Sequence, residues 1–234
     1  MNFDEGELLL FDKPKTWTSF DVVNKIRYAI KCKKVGHAGT LDPLATGLLI
    51  LCTGKMTKQI DTYQAQEKEY LATIQFGKTT PSADLETDFD AEYPYFHITQ
   101  EDLQNTINQH FIGQIEQIPP IYSAIKQDGK RLYELARKGK TTEIKPRTVT
   151  INEIEITRFE LPFVEIKIVC SKGTYIRSIA QDLGKAMDSG GVLADLIRTR
   201  SGDFLLQNAW QLTDFLEHLK TEHQAKEHTD NAGF

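Results

Sequence analysis

Two stretches of alternating hydrophobicity, Val149 to Phe159 and Phe163 to Cys170, constrain this chain more than any other feature, because only Glu160-Leu161-Pro162 separates them. Successive side chains of a strand point to opposite faces, so each stretch is a strand, and so short a joint makes the pair antiparallel. Lys68 to Phe76 alternates in the same way, with Tyr70, Ala72, Ile74 and Phe76 on one face and Leu71, Thr73 and Gln75 on the other. Leu8 to Phe11 and Leu48 to Cys52 are short apolar runs of the buried-strand type, and the first closes in the turn Asp12-Lys13-Pro14. Helical periods lie between them. Ser19 caps a helix with Phe20, Val23, Ile26 and Ile30 inward, and Met56 to Tyr63 is a short helix. Thr99-Gln100-Glu101-Asp102 is a capping box, with Ile98 and Leu103 as its hydrophobic staple and Leu103, Ile107 and Phe111 as the buried stripe. Lys130 to Lys138 is a basic helix ended by Gly139, and Ile176, Ile179, Ala180, Leu183 and Met187 form a stripe after Thr174. There is no βαβ rhythm and no repeat. The pattern implies an α+β fold with a mixed, largely antiparallel sheet flanked by helices and loops.

The chain has 234 residues, 40% hydrophobic and 26% charged, as in ordinary globular proteins. Residues 1–212 read as a single domain and residues 213–234 as a short helix and a polar, disordered tail. Cys32, Cys52 and Cys170 are odd in number and scattered, which argues for reduced thiols in a cytoplasmic protein and against a disulfide framework or a zinc site. The N-terminus is acidic where a signal peptide is basic, and no apolar run reaches membrane-spanning length. The net charge of -5 conceals a segregation. Lys13 to Lys34 holds seven basic residues against one acid, and Tyr122 to Arg147 holds eight against three. Thr79 to Asp102 holds seven acids and no base. Such segregation is expected if one face meets a polyanion and another does not, and equally of two solvated faces on an acidic protein. The acidic segment from Gly77 to Phe96 lacks apolar periodicity, and a loop of that length is functional or disordered.

The chemistry points to Val35-Gly36-His37-Ala38-Gly39-Thr40-Leu41-Asp42-Pro43-Leu44-Ala45-Thr46-Gly47-Leu48-Leu49. Three glycines, a proline, a histidine and one carboxylate lie in a loop that runs into a buried strand, which is how a site is mounted on a rigid element. Asp42-Pro43 is by pattern a turn former as well as a candidate acid. Tyr70 begins the inward face of its strand, so its ring belongs either to the core or to a cleft at the strand end. Arg177 lies in the first turn of its helix, off the apolar stripe, with its guanidinium free to reach outward.

Leu10-Phe11-Asp12-Lys13-Pro14, the loop Gly36 to Gly47, Lys68-Glu69-Tyr70, Ile118-Pro119-Pro120-Ile121-Tyr122-Ser123-Ala124-Ile125-Lys126 with Gly129 to Arg137, and Cys170-Ser171-Lys172-Gly173-Thr174-Tyr175-Ile176-Arg177 occur in this order. In sequence and order they resemble bacterial TruB-type tRNA pseudouridine synthases, over residues 8 to about 206. The resemblance implies isomerisation of a uridine in the T-loop of tRNA, at tRNA position 55, to pseudouridine, with the base flipped out and no cofactor or metal. It makes Asp42 the catalytic carboxylate, Arg177 its partner, Tyr70 the ring that stacks on the target base and helps move the C5 proton, and His37 the filler of the space the base leaves. Tyr175, beside Arg177, and Lys13 are active-site support. Lys126, Lys130, Arg131, Arg137, Lys138, Arg198 and Arg200 form the RNA-binding set, which positions phosphates without reading sequence.

Ile197 and Val192 depart from the family pattern, and the Thr80, Ser82 and Asp84 segment keeps only part of a Thr/Asp-rich one. The chain resembles a short form without the C-terminal RNA-binding domain of many bacterial members. The expected partner is the T-arm of tRNA, with no membrane and no obligatory protein partner. A tRNA-folding protein with secondary chemistry and a guide-RNA-dependent, dyskerin-type enzyme are the competing functions.

Overall fold

A computed structural model of the chain describes residues 2–120, 126–127, 130–131 and 144–231. The chain divides into two compact units, Met1–Gln66 with Ile197–Phe234, and Glu67–Leu196. The sequence suggests a single domain because the second unit is inserted in the first, and neither junction carries a Gly, Pro or Ser-rich linker.

In the first unit β1 (Leu8–Lys13) pairs antiparallel with β3 (Thr46–Thr53), as does β2 (Val35–Ala38), so His37 lies on a strand and only residues 39–45 form the loop. β1 runs on through Asp12 and Lys13, where the sequence suggests a turn, because both pair with Leu48 and Gly47. β3 is buried on both faces. Leu49 and Leu51 join Leu9, Phe11, Val22, Val23 and Ile26 in one core, and Leu48, Ile50 and Ala38 form another. That burial explains an apolar run without alternation. Helix α1 (Ser19–Ala29) begins at Thr18 rather than Ser19, because Thr18 and Asp21 make a reciprocal capping box. Its buried residues are Ser19, Val22, Val23 and Ile26, which turn Phe20 outward to 58% exposure, against the expected stripe. Residues Gly54–Gln59 form a 3₁₀ turn leading into α2 (Ile60–Ala65).

The second unit is built on an antiparallel ladder of β4 (Lys68–Phe76), β7 (Gly113–Gln117), β10 (Arg147–Glu160) and β11 (Phe163–Cys170), in the order β4-β11-β10-β7. Helix α3 (Gln100–His110) is capped by Thr99 and buries Leu103 and Ile107, as its periodicity requires. The acidic segment is ordered by a hairpin of β5 (Lys78–Thr79) and β6 (Ala91–Glu92), and by burial of Thr80, Ser82 and Asp84. β8 (Lys126–Gln127) pairs with β9 (Lys130–Arg131), so the expected basic helix does not begin at Lys130; its remainder lies outside the described residues.

β12 (Gly191–Ser201) begins in the second unit and ends in the first. There Ile197 and Arg198 pair in parallel with Thr46 and Gly47 of β3, and β13 (Phe204–Leu205) pairs antiparallel with its last residues. The expected polar tail is instead a helix, Leu212–Asn231. Phe215 and Leu219 anchor its first turns in the core around Phe11, with Phe215 set edge-on to the Phe11 ring. No helix among the described residues is long and apolar enough to cross a membrane.

Candidate active site

The loop of residues 39–45 leaves β2 and returns as β3 through a turn in which Ala45 N–H donates to the Asp42 carbonyl at 3.1 Å. Three buried side chains from three elements hold its backbone at alternate residues. From β12, Arg198 donates to the Gly39 carbonyl at 3.2 Å. From α1, the Ser19 hydroxyl accepts from Leu41 N–H at 2.9 Å and lies 3.2 Å from its carbonyl as donor. From β1, Lys13 Nζ donates to the carbonyls of Pro43 at 3.2 Å, Pro14 at 3.0 Å and Trp17 at 2.6 Å. Asp42 sits between these fastened residues and is itself partly exposed. The loop is rigid in its backbone and presents one carboxylate.

Charge reinforces this arrangement. Burial pushes the Lys13 ammonium down to about 8; the charge of Asp42 opposes the shift and that of Arg198 adds to it. His37 is lowered from its ordinary value first by burial and then by Arg198, while a hydrogen bond with the Gly39 backbone works the other way. The His37 Nδ1 is buried and makes no hydrogen bond among the described residues.

In the second unit, Tyr70 is buried with Ala72, Ile74 and Phe76 on the inward face of β4. Tyr175 precedes the helix Ile176–Ala186, and its backbone is clamped by the amide of buried Gln117: Tyr175 N–H donates to Oε1 at 2.8 Å, and Nε2 donates to the Tyr175 carbonyl at 3.0 Å. Arg177 follows in the first helical turn. It does not reach outward as the sequence suggests: it is 3% exposed, donates to the Ser82 carbonyl at 3.2 Å, and lies 3.6 Å from the carboxylate of Asp84, which is 4% exposed. The segment around Ser82 covers the first turn and supplies these two contacts, which helical periodicity cannot show. Thr80 and Ser82 donate to the Asp84 carbonyl at 2.6 and 3.1 Å, and the Asp84 carboxylate accepts from Glu86 N–H at 3.0 Å.

The expected RNA-binding residues fall into four groups. Arg198 is 1% exposed and is not a surface phosphate contact; the segment that looks basic in sequence is a strand that turns this side chain inward. Arg200 is partly exposed and donates to the Gly202 carbonyl at 3.2 Å. Lys126, Lys130 and Arg131 lie on the β8–β9 hairpin, and Arg137 and Lys138 lie outside the described residues. Ser19, Gln117 and Asp84 were not anticipated as site residues. Only Asp84 left a signal, its alternation with Thr80 and Ser82 in an acidic loop. No cluster of three or more His, Cys, Asp or Glu that could hold a metal occurs among the described residues.

Residues 27–176 match the family described as TruB family pseudouridylate synthase, N terminal domain. A tRNA pseudouridine synthase B of Phocaeicola vulgatus is 57% identical over 225 residues, spanning 94% of this chain and 95% of that protein. One of Parabacteroides distasonis is 54% identical over 226 residues, spanning 93% and 96%. Among solved structures, a chain of a Cbf5-Nop10-Gar1 complex superposes with a TM-score of 0.71 at 27% identity; the match covers 92% of this chain and 54% of that one, about half its length.

Proposed function

This chain belongs to the TruB family of pseudouridylate synthases, and from that premise we propose that it converts a uridine of tRNA to pseudouridine, at position 55 in the T-loop, with Asp42 as the reacting carboxylate. The observation that carries the reading is 57% identity, over nearly the full length of both chains, to a protein named tRNA pseudouridine synthase B. The backbone fastenings around Asp42 support the choice of residue, because catalysis needs a carboxylate held in one geometry.

The reaction breaks the N1–C1′ bond, turns the detached uracil and joins C5 to C1′; C5 gives up its proton and N1 takes one up, so that the product is an isomer of the substrate. Asp42 acts while ionised, as nucleophile or as base. A water-poor site disfavours the carboxylate, and Arg177, fixed and charged, is assigned to restore it. Tyr70 stacks on the flipped base and assists departure of the C5 proton, and His37 fills the vacated space. Flipping costs a few kcal/mol, offset by this stacking and by hydrogen bonds to the base. Lys13 supports the loop of Asp42, and Tyr175 is assigned a supporting role beside Arg177. Arg200 and the basic residues Lys126, Lys130, Arg131, Arg137 and Lys138 serve the RNA backbone, in the cytoplasm and without an obligatory protein partner.

The test is to map pseudouridine in a tRNA transcript after incubation with the purified chain and with Asp42→Asn. Conversion at position 55 by the wild-type chain alone, and loss of at least about 10³-fold in the variant, is the expected result. Full conversion by Asp42→Asn would remove Asp42 from the chemistry. An inactive wild-type chain that gains activity only with a guide RNA and added proteins would favour the guide-dependent reading.

A further inference from the structure

We propose that Arg198 is the positioning residue of the catalytic loop: its guanidinium straps together the two ends of the segment that carries Asp42 and thereby sets the aim of that carboxylate. The inference rests on the assignment of Asp42 given above.

The strap is visible in two bonds. Nε donates to the Leu48 carbonyl at 2.7 Å and Nη2 to the Gly39 carbonyl at 3.2 Å. Gly39 stands where the loop leaves β2, and Leu48 lies on β3, where the loop has rejoined the sheet. One planar fork therefore fixes the distance between the loop's two ends, a task that a rigid guanidinium performs and a flexible ammonium does not. The arginine is itself immobile, since its backbone is paired in parallel with β3, Arg198 beside Gly47.

The loop is shaped to receive it. A Cβ on Gly47 would lie 2.4 Å from the Arg198 carbonyl oxygen and 2.7 Å from its nitrogen, and Gly47 sits at φ +98°, so only glycine permits the strands to meet here. A Cβ on Gly39 would lie 3.4 Å from Nη1, so the loop rests directly on the guanidinium. Arg198 also bears on the protonation of its neighbours, since it contributes to the lowering of both Lys13 and His37. That influence supplies a reporter independent of turnover.

The test uses the full chain and a tRNA transcript, with Arg198→Lys and Arg198→Met. Arg198→Lys keeps the charge but can hold only one end of the loop; kcat should fall about tenfold, with KM for tRNA changed by less than about twofold. Arg198→Met should lower kcat about 10²-fold, the usual effect of moving a reacting group by about 1 Å. By NMR titration of the histidine rings, the His37 pKa should rise in Arg198→Met and stay near wild type in Arg198→Lys. Wild-type kcat in Arg198→Lys would overturn the proposal. So would a raised KM with kcat intact, which marks an RNA contact, or failure of both variants to fold by circular dichroism, which marks a residue of the core alone. An inactive wild-type chain would refute the function instead; an unmoved His37 pKa in Arg198→Met would then still refute the strap.

Discussion

The two sets of candidate residues, one in each unit, hold their charged groups by opposite means. Around Asp42 the protein fastens the backbone: Lys13, Ser19 and Arg198 grip residues 43, 41 and 39, and the carboxylate projects from between them, partly exposed. Around Arg177 it fastens the side chain, whose guanidinium is buried against the Ser82 carbonyl and the Asp84 carboxylate. The difference follows from chemistry. A reacting carboxylate must meet the substrate, so only its anchor can be immobilised. A guanidinium that acts through its field can be buried, provided an anion and hydrogen bonds accompany it.

The comparison breaks first at Asp84. If Arg177 is held through its side chain, Asp84→Asn should lower kcat about 10²-fold and cost on the order of 3 kcal/mol in urea denaturation, because a buried cation loses a buried counter-charge. Loss of stability without loss of turnover would show that the pair serves folding only. In the first unit, Gly47→Ala should cost at least about 2 kcal/mol, since the methyl meets the Arg198 backbone and the residue is strained at positive φ. Denaturation of that variant at wild-type urea concentration would mean that the β3–β12 contact is not tight.

The smallest effect is one of pH. Lys13 titrates near 8 in the folded chain and at 10.5 ordinarily, so between these values the unfolded chain binds the extra proton. On this group's account, stability therefore rises from pH 8 to 10.5, while below 8 the cost of burying the ammonium is borne in full. Turnover should move the other way, falling about fivefold above pH 8, as a neutral amine has two N–H groups for three carbonyls and releases one. A pH–kcat profile flat from 7 to 10 would detach Lys13 from the loop.

What the sequence revealed and what it hid divide along a physical line. β4, the β10–β11 pair and α3 were legible because period-2 and period-3.6 patterns record which face is buried. Asp42, Tyr70 and Arg177 were put forward as a candidate set only through a family resemblance. Arg198 was misread as surface because charge implies exposure unless partners are known, and its partners are the carbonyls of Gly39 and Leu48, about 150 residues away. Ser19 was misread as a cap for a related reason: its hydroxyl is spent on Leu41, leaving Thr18 to start the helix. The extent of the C-terminal helix was hidden because its anchors, Phe215 and Leu219, precede the polar stretch that dominates its composition.

The insertion of one unit in the other has a consequence for synthesis. As the chain emerges from the ribosome, Glu67–Leu196 is complete in one continuous length, whereas the unit bearing Asp42 still lacks the strand residues of Arg198 and the helix that supplies Phe215. The earlier-made segment is thus the later to mature. Its half of the core, with Phe11 awaiting Phe215, stays open to the cell's chaperones until the last tenth of the chain has been translated.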